Sequence, residues 1–193
     1  MVRAFEDGDF VFAHMEYDFS SVKVAFEVFR FENGFAVEHW DNIQSKIGPT
    51  SSGRDMLDGN IESKEIAKTE DNRALVKDFV DTVIIKQKIE KLGNFVNAKE
   101  FIQHSPKIAD GIEALRLALL AKSPTGFKIK YSHLHRVLAE GSFVLSVSEG
   151  WLDDVQNAFY DLYRVEDNKL VEHWDTIEAI PPMSEWKNIN GKF

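Results

Sequence analysis

Apolar and polar residues alternate with a period of two through two separate stretches of the chain. In the first, residues 10–17 and 22–31 flank a short polar link, and Asn33-Gly34 marks a tight turn into residues 35–43. Alternating runs bounded by Asn, Gly and Asp read as antiparallel strands joined by hairpins. In the second stretch, residues 143–149, 158–165 and 170–180 repeat the arrangement, with Asp167-Asn168 at the turn. Between the stretches the period changes. Leu75, Phe79 and Val83, with Val76, Val80 and Ile84, form an i, i+4 stripe that predicts a helix. Thr69 is placed to cap its start, and Glu70 and Asp71 fall in the first turn, where the helix dipole favours negative charge. A second helix is expected from Asp110, with Glu113 completing a capping box and Ile112, Leu115 and Leu119 facing inward. Residues 47–60 hold Gly48-Pro49, Ser51, Ser52, Gly53 and Asp58-Gly59, which is loop or linker chemistry.

The two strand stretches are also similar to each other. Phe29-Arg30-Phe31-Glu32-Asn33-Gly34 runs on to Val37-Glu38-His39-Trp40-Asp41. Tyr163-Arg164-Val165-Glu166-Asp167-Asn168 runs on in the same way to Val171-Glu172-His173-Trp174-Asp175. A weaker match pairs the segment from Arg3 to Val11 with that from Arg136 to Val144, at an offset of 133 rather than 134. One extra residue in a hairpin explains the slip. The expected organisation is a partial, strands-only repeat with a linker in residues 1–60 and a complete α+β domain in residues 61–193. A sheet of some 60 residues buries too little apolar surface to stand alone. Phe5, Phe10, Phe12, Phe26, Phe29, Phe31 and Trp40 therefore need a cover, either the complete domain or a second chain. A gene start upstream of this sequence, with helices of a first domain before it, is the other reading.

Composition narrows the partners. The chain has 193 residues, 44% of them apolar, with 15 phenylalanines and a formal net charge of −9. No basic block is present, which argues against nucleic acid or an anionic membrane as partner. With no cysteine, disulfide and thiolate chemistry are excluded. Neither a signal peptide nor a membrane-length apolar run is found, so a cytoplasmic location is expected.

The segment Phe101-Ile102-Gln103-His104-Ser105-Pro106, followed by Ala109-Asp110-Gly111, resembles the stretch ahead of the second helix in SnoaL-like polyketide cyclases. The strands Ala158 to Arg164 and Val171 to Asp175 resemble the same family. The resemblance runs in order through residues 69–193. It implies the nuclear transport factor 2-like fold: a bent antiparallel sheet closing with helices into a cone around a cavity, often dimeric through the sheet. It also implies a cofactor-independent aldol ring closure with an aspartate as acid/base. Relatives isomerise ketosteroids, open epoxides or only bind ligands.

Strand alternation places Val171, His173, Asp175 and Ile177 on one face, with Glu172 and Trp174 on the other. Phe159, Asp161 and Tyr163 share a face of the neighbouring strand, and Tyr131, His133 and His135 are expected to share one on the strand after the second helix. A carboxylate and imidazole in an aromatic cavity are suited to abstracting a proton beside a carbonyl. By resemblance Asp175 is the candidate acid/base, with His173, Asp161 and His104 assisting and Phe159, Tyr163, Tyr131, His133 and His135 around the pocket. Phe159 and Asp161 depart from the cyclases, which carry an amide and a histidine there. The tetrad Glu-His-Trp-Asp occurs in both stretches, so part of it has a structural reading, with Trp174 as core anchor. His133-Leu134-His135 is a weak metal pattern for want of a fixed third ligand, and no metal or cofactor is expected. The expected ligand is a small, largely apolar carbonyl compound bound to a homodimer. The alternative is a ligand-binding or dimerisation module without catalysis. The segment from Trp186 to Phe193 is a candidate flap over a partner's cavity.

Overall fold

A computed structural model of the chain describes residues 1–120, 126–186 and 191–193. The alternating stretches form two curved antiparallel sheets. The first comprises β1 (Arg3–Asp7), β2 (Phe10–Asp18), β3 (Val22–Glu32) and β4 (Phe35–Ser45), in that order. The second has the order β5-β9-β8-β7-β6, from β5 (Ile102–Gln103), β6 (Ile129–Glu140), β7 (Phe143–Leu152), β8 (Val155–Glu166) and β9 (Lys169–Ala179). Short β5 pairs with β9 in parallel, and the long strands are antiparallel. The hairpin turns have positive φ at Asn33-Gly34, Asp153-Asp154 and Asp167-Asn168, the two-residue geometry that these residue types tolerate best.

The two sheets pair their strands in the same register. Arg3 lies opposite His14 and Arg136 opposite Val147; Phe29 lies opposite His39 and Tyr163 opposite His173. Each sheet carries a bulge at the matching place, Arg30/Phe31 and Arg164/Val165.

Helices cover one face of the second sheet only. Helix α1 (Thr69–Phe79) continues into a π-helical turn, Val80–Ile85, and is followed by α2 (Leu92–Phe95) and α3 (Ile112–Leu119). Val76, Phe79, Val80, Val83 and Ile84 are buried against Phe159, Tyr163 and Leu170, as the i, i+4 stripe requires. The caps differ from expectation. Thr69 is the first helical residue, and its hydroxyl donates to Ile66 O and accepts from Gly141 N–H, so it ties the helix to the β6–β7 turn. Gly111 stands at the start of α3, and Asp110 accepts from Gln103 N–H and from Arg54 instead of capping.

The opposite face of the second sheet is covered by the first. Phe5, Phe12, Phe26, Val28 and Trp40 from β1–β4 join Leu145, Tyr160, Leu162 and Trp174 in one buried cluster. The second sheet thus covers Phe5, Phe12, Phe26 and Trp40, with Phe10 packed against the cluster, whereas Phe29 lies outside it and Phe31 is exposed. The segment between β4 and α1 is a fitted strap. Asp58 O accepts from Trp174 Nε1 and from Arg3 Nη2, both at 2.8 Å, and Ser52 Oγ donates to Gln103 O at 2.7 Å. Gly59 has φ +95° and lies where a β-carbon would overlap Glu172 and Trp174. Residues 187–190 of the expected flap lie outside the described residues. Beyond them Lys192 O accepts from Tyr160 O–H, and the Phe193 ring stacks on His135. Among the described residues no helix is long and apolar enough to cross a membrane.

Candidate functional site

Strands β8 and β9 bring three ionisable side chains together on the helix-covered face. Asp161 lies directly opposite Asp175, and Tyr163 opposite His173. His173 Nε2 is 3.0 Å from Asp161 Oδ1, and its Nδ1 is 2.8 Å from Gln103 Oε1. Tyr131 O–H donates to both oxygens of Asp161, each at 3.1 Å. The ring of Tyr163 stacks on His173 with centroids 4.8 Å apart. Burial pushes the Tyr131 and Tyr163 hydroxyls well above the usual phenol range, and the nearby carboxylates add to it, so both stay neutral.

Asp175 differs from Asp161 and His173 in being one of the residues that line a cavity. The cavity has a volume of about 270 Å³ and is walled mainly by Ile108, Phe127, Ile129, Leu152 and Ile177. Ser105 O–H donates to Oδ2 at 2.6 Å, whereas buried Oδ1 has no hydrogen-bond partner. Burial raises the carboxyl above its ordinary value, opposed by His173 and the Ser105 hydrogen bond and assisted by Asp161. A carboxylate with one free oxygen, poor hydration and a raised pKa is a competent proton acceptor for an apolar guest. The sheet on the other side contributes too. Gln44, on β4, lines the cavity, donates to Asp175 O at 2.7 Å and accepts from Ile177 N–H at 3.3 Å.

Other predicted site residues lie elsewhere. His104 is on the far side of β9, stacked on Trp174 at 4.8 Å and bonded to Glu172 Oε1 and Asp55 O, both at 2.9 Å. Alternation explains this, since Glu172 and Trp174 face away from Asp175. Glu172 is pushed up by burial but pulled below its ordinary value overall by His104 and Arg164. Tyr131 does not share a face with His133 and His135, whose rings lie 4.5 Å apart, because β6 bulges between Tyr131 and His133. Tyr131 is buried while both histidines are exposed. Phe159, Tyr131 and Tyr163 fill the cone interior by packing on one another and on Phe79 rather than lining the cavity. Ser105, Gln103 and Gln44 escaped the sequence reading. Ser105 is next to the flagged His104, and only the structure shows that its side chain turns to the opposite face of β9.

Asp161, His173 and Asp175 each offer one ligand atom within 4.8 Å of the others, so the same cluster has the donor types for a divalent ion. The aligned positions of the first sheet carry a comparable group. Glu27, Phe29, His39 and Asp41 stand where Asp161, Tyr163, His173 and Asp175 stand. His39 bonds Glu27, Phe29 stacks on His39 at 4.4 Å, and Tyr17 O–H donates to Glu27 at 3.0 Å. Among the described residues no helix covers that face, and the His39 side chain is 47% exposed against 6% for His173.

No family model matches the sequence, and no curated protein matches it. Solved structures do resemble the chain. A candidate ketosteroid isomerase from Kribbella flavida is 16% identical with a TM-score of 0.51, over 65% of this chain and 94% of that one. The likeness establishes the fold. It is an α+β fold in which helices pack on a curved antiparallel sheet, as expected from the sequence. Further similar structures include an epoxide hydrolase of M. tuberculosis (14% identity, TM-score 0.47, 57% of this chain and 85% of that one). A SnoaL-like polyketide cyclase of Agrobacterium tumefaciens is also similar (14% identity, TM-score 0.44, 55% and 91%).

Proposed function

We propose that this chain binds a small, largely apolar carbonyl compound in the cavity beside Asp175 and catalyses its enolisation, leading to isomerisation or aldol cyclisation without a cofactor. The observation that carries the reading is Asp175 at the wall of an apolar cavity, its buried Oδ1 without a hydrogen-bond partner among the described residues and its Oδ2 held by Ser105. Asp175 removes the proton α to the carbonyl. His173 and Asp161, one layer behind, set the charge that Asp175 feels. A ketosteroid isomerase, an epoxide hydrolase and a polyketide cyclase among the similar structures agree with a small-molecule cavity protein, and the fold alone does not choose the reaction.

The test is α-proton exchange with a panel of ketones in deuterated water, followed by NMR. Exchange above the buffer rate is expected for at least one ketone that binds, with a loss of about 10²–10⁴-fold in Asp175→Asn. Chelator treatment is expected to leave the rate unchanged. A second reading has its own support. The Glu27–His39 pair is a carboxylate–imidazole contact on a face that no helix covers among the described residues, as a purely structural device would be. Ketones that bind without any exchange above buffer would favour this reading, a ligand-binding module.

A further inference from the structure

The contacts between the two sheets come in crossed pairs. The Arg3 guanidinium lies 4.2 Å over the Trp174 ring, and the Arg136 guanidinium lies 4.2 Å over the Trp40 ring. Ile43 N–H donates to Glu178 Oε2 at 2.8 Å, and Ile177 N–H donates to Gln44 Oε1 at 3.3 Å. Under the offsets of 133 and 134 that align the two strand stretches, each contact maps onto its partner with the roles exchanged. Asn42 and Thr176 map onto each other, and they meet: Asn42 Nδ2 donates to Thr176 O at 2.6 Å and lies 3.2 Å from Thr176 Oγ1. The buried cluster between the sheets obeys the same rule, since it holds both Phe12 and Leu145, both Phe26 and Tyr160, and both Trp40 and Trp174.

Crossed contacts around a self-paired position are the signature of an isologous, two-fold interface, in which residue i meets j and the counterpart of j meets the counterpart of i. Here both halves belong to one chain. We infer that β1–β4 are a second copy of the strand half β6–β9, docked as a two-fold partner subunit would dock. One chain then supplies both sides of a dimer interface and is a monomer in solution, in place of the homodimer expected from the sequence. The copy also completes the cavity. Gln44, Ser45 and Ile47 line it from the first sheet, a position that the other subunit would occupy in a two-chain dimer. Among the described residues, helices lie over the outer face of the second sheet and not over that of the first. None of this depends on whether the cavity is catalytic.

The experiment uses the full chain. Sedimentation equilibrium over a wide concentration range is expected to return 22.1 kDa, the mass of one chain. An equimolar mixture of isotope-labelled and unlabelled protein, unfolded and refolded together, is then examined by isotope-filtered NOE spectroscopy. The Arg3–Trp174 and Arg136–Trp40 contacts are expected within chains only. A mass of two chains, or a cross-chain NOE at either Arg–Trp pair, overturns the inference.

Discussion

Asp175 and His14 show how burial sets what individual residues do. Asp175 must be ionised to accept a proton, and its carboxyl lies above the ordinary value, so the exchange rate is expected to climb as pH rises through that raised value. The Ser105 hydrogen bond favours the ionised form. Ser105→Ala removes it and should move the midpoint of the pH–rate profile upward by about one unit, since a hydrogen bond to a charged group contributes about 1.5–3 kcal/mol and one unit is 1.36 kcal/mol. A profile that stays in place would show that Ser105 does not tune Asp175. His14 is buried beneath the first sheet, where Arg3 donates to its Nδ1 at 2.9 Å. Burial first, then the Arg3 charge, holds it well below the ordinary imidazole value of 6.5. The unfolded chain therefore binds this proton more readily than the folded one. Stability from His14 is fully present above the unfolded value and falls as pH drops below about 6.5. Urea unfolding between pH 7.5 and pH 5 should show this decline, and His14→Phe should flatten it.

At the scale of elements, the strands were legible in the sequence from alternation bounded by Asn, Gly and Asp turns, although β7, β8 and β9 are buried on both faces. Helix α1 was legible because its stripe has a period close to four. The caps were less so. Thr69 and Asp110 have the right chemistry for N-caps, yet tertiary partners, Gly141 N–H for the first and Gln103 N–H for the second, claim their oxygens. The bulges in β6 were invisible to simple alternation, and that is why Tyr131 parts from His133 and His135. Strand parity put His173 and Asp175 on one face, and the family resemblance singled out Asp175 and added Asp161. Ser105 and Gln44 could not be gathered in this way, because they come from a loop and from a distant sheet. The strap shows the same limit. Its Gly and Asp content reads as a linker, but Gly59 sits against Glu172 and Trp174 with positive φ. Gly59→Ala combines backbone strain with overlap and is expected to cost about 1–3 kcal/mol in chemical denaturation. An unchanged midpoint would mean that the strap yields easily.

For the whole molecule, the decisive feature is one apolar layer shared by both sheets. Its removal from either side should be felt by both. Phe26→Ala, in the first sheet, is expected to destabilise the chain by about 3–5 kcal/mol. The transition should remain single, with aromatic near-UV and backbone far-UV signals coincident. Two separated transitions would show the sheets to be independent. Deleting residues 1–60 would uncover Tyr160, Leu162 and Trp174 and remove Gln44 from the cavity wall, so aggregation is the expected result.

The paired groups on the two sheets give this protein an internal control that few others have. His39 is half exposed while His173 is shut beneath helices, yet their carboxylate partners, Glu27 and Asp161, are both buried and both pairs sit in the same strand register. The same substitution made at His39 and again at His173 therefore puts one question to two surroundings. The difference in unfolding free energy between the two variants isolates what a roof of helices adds to a paired imidazole.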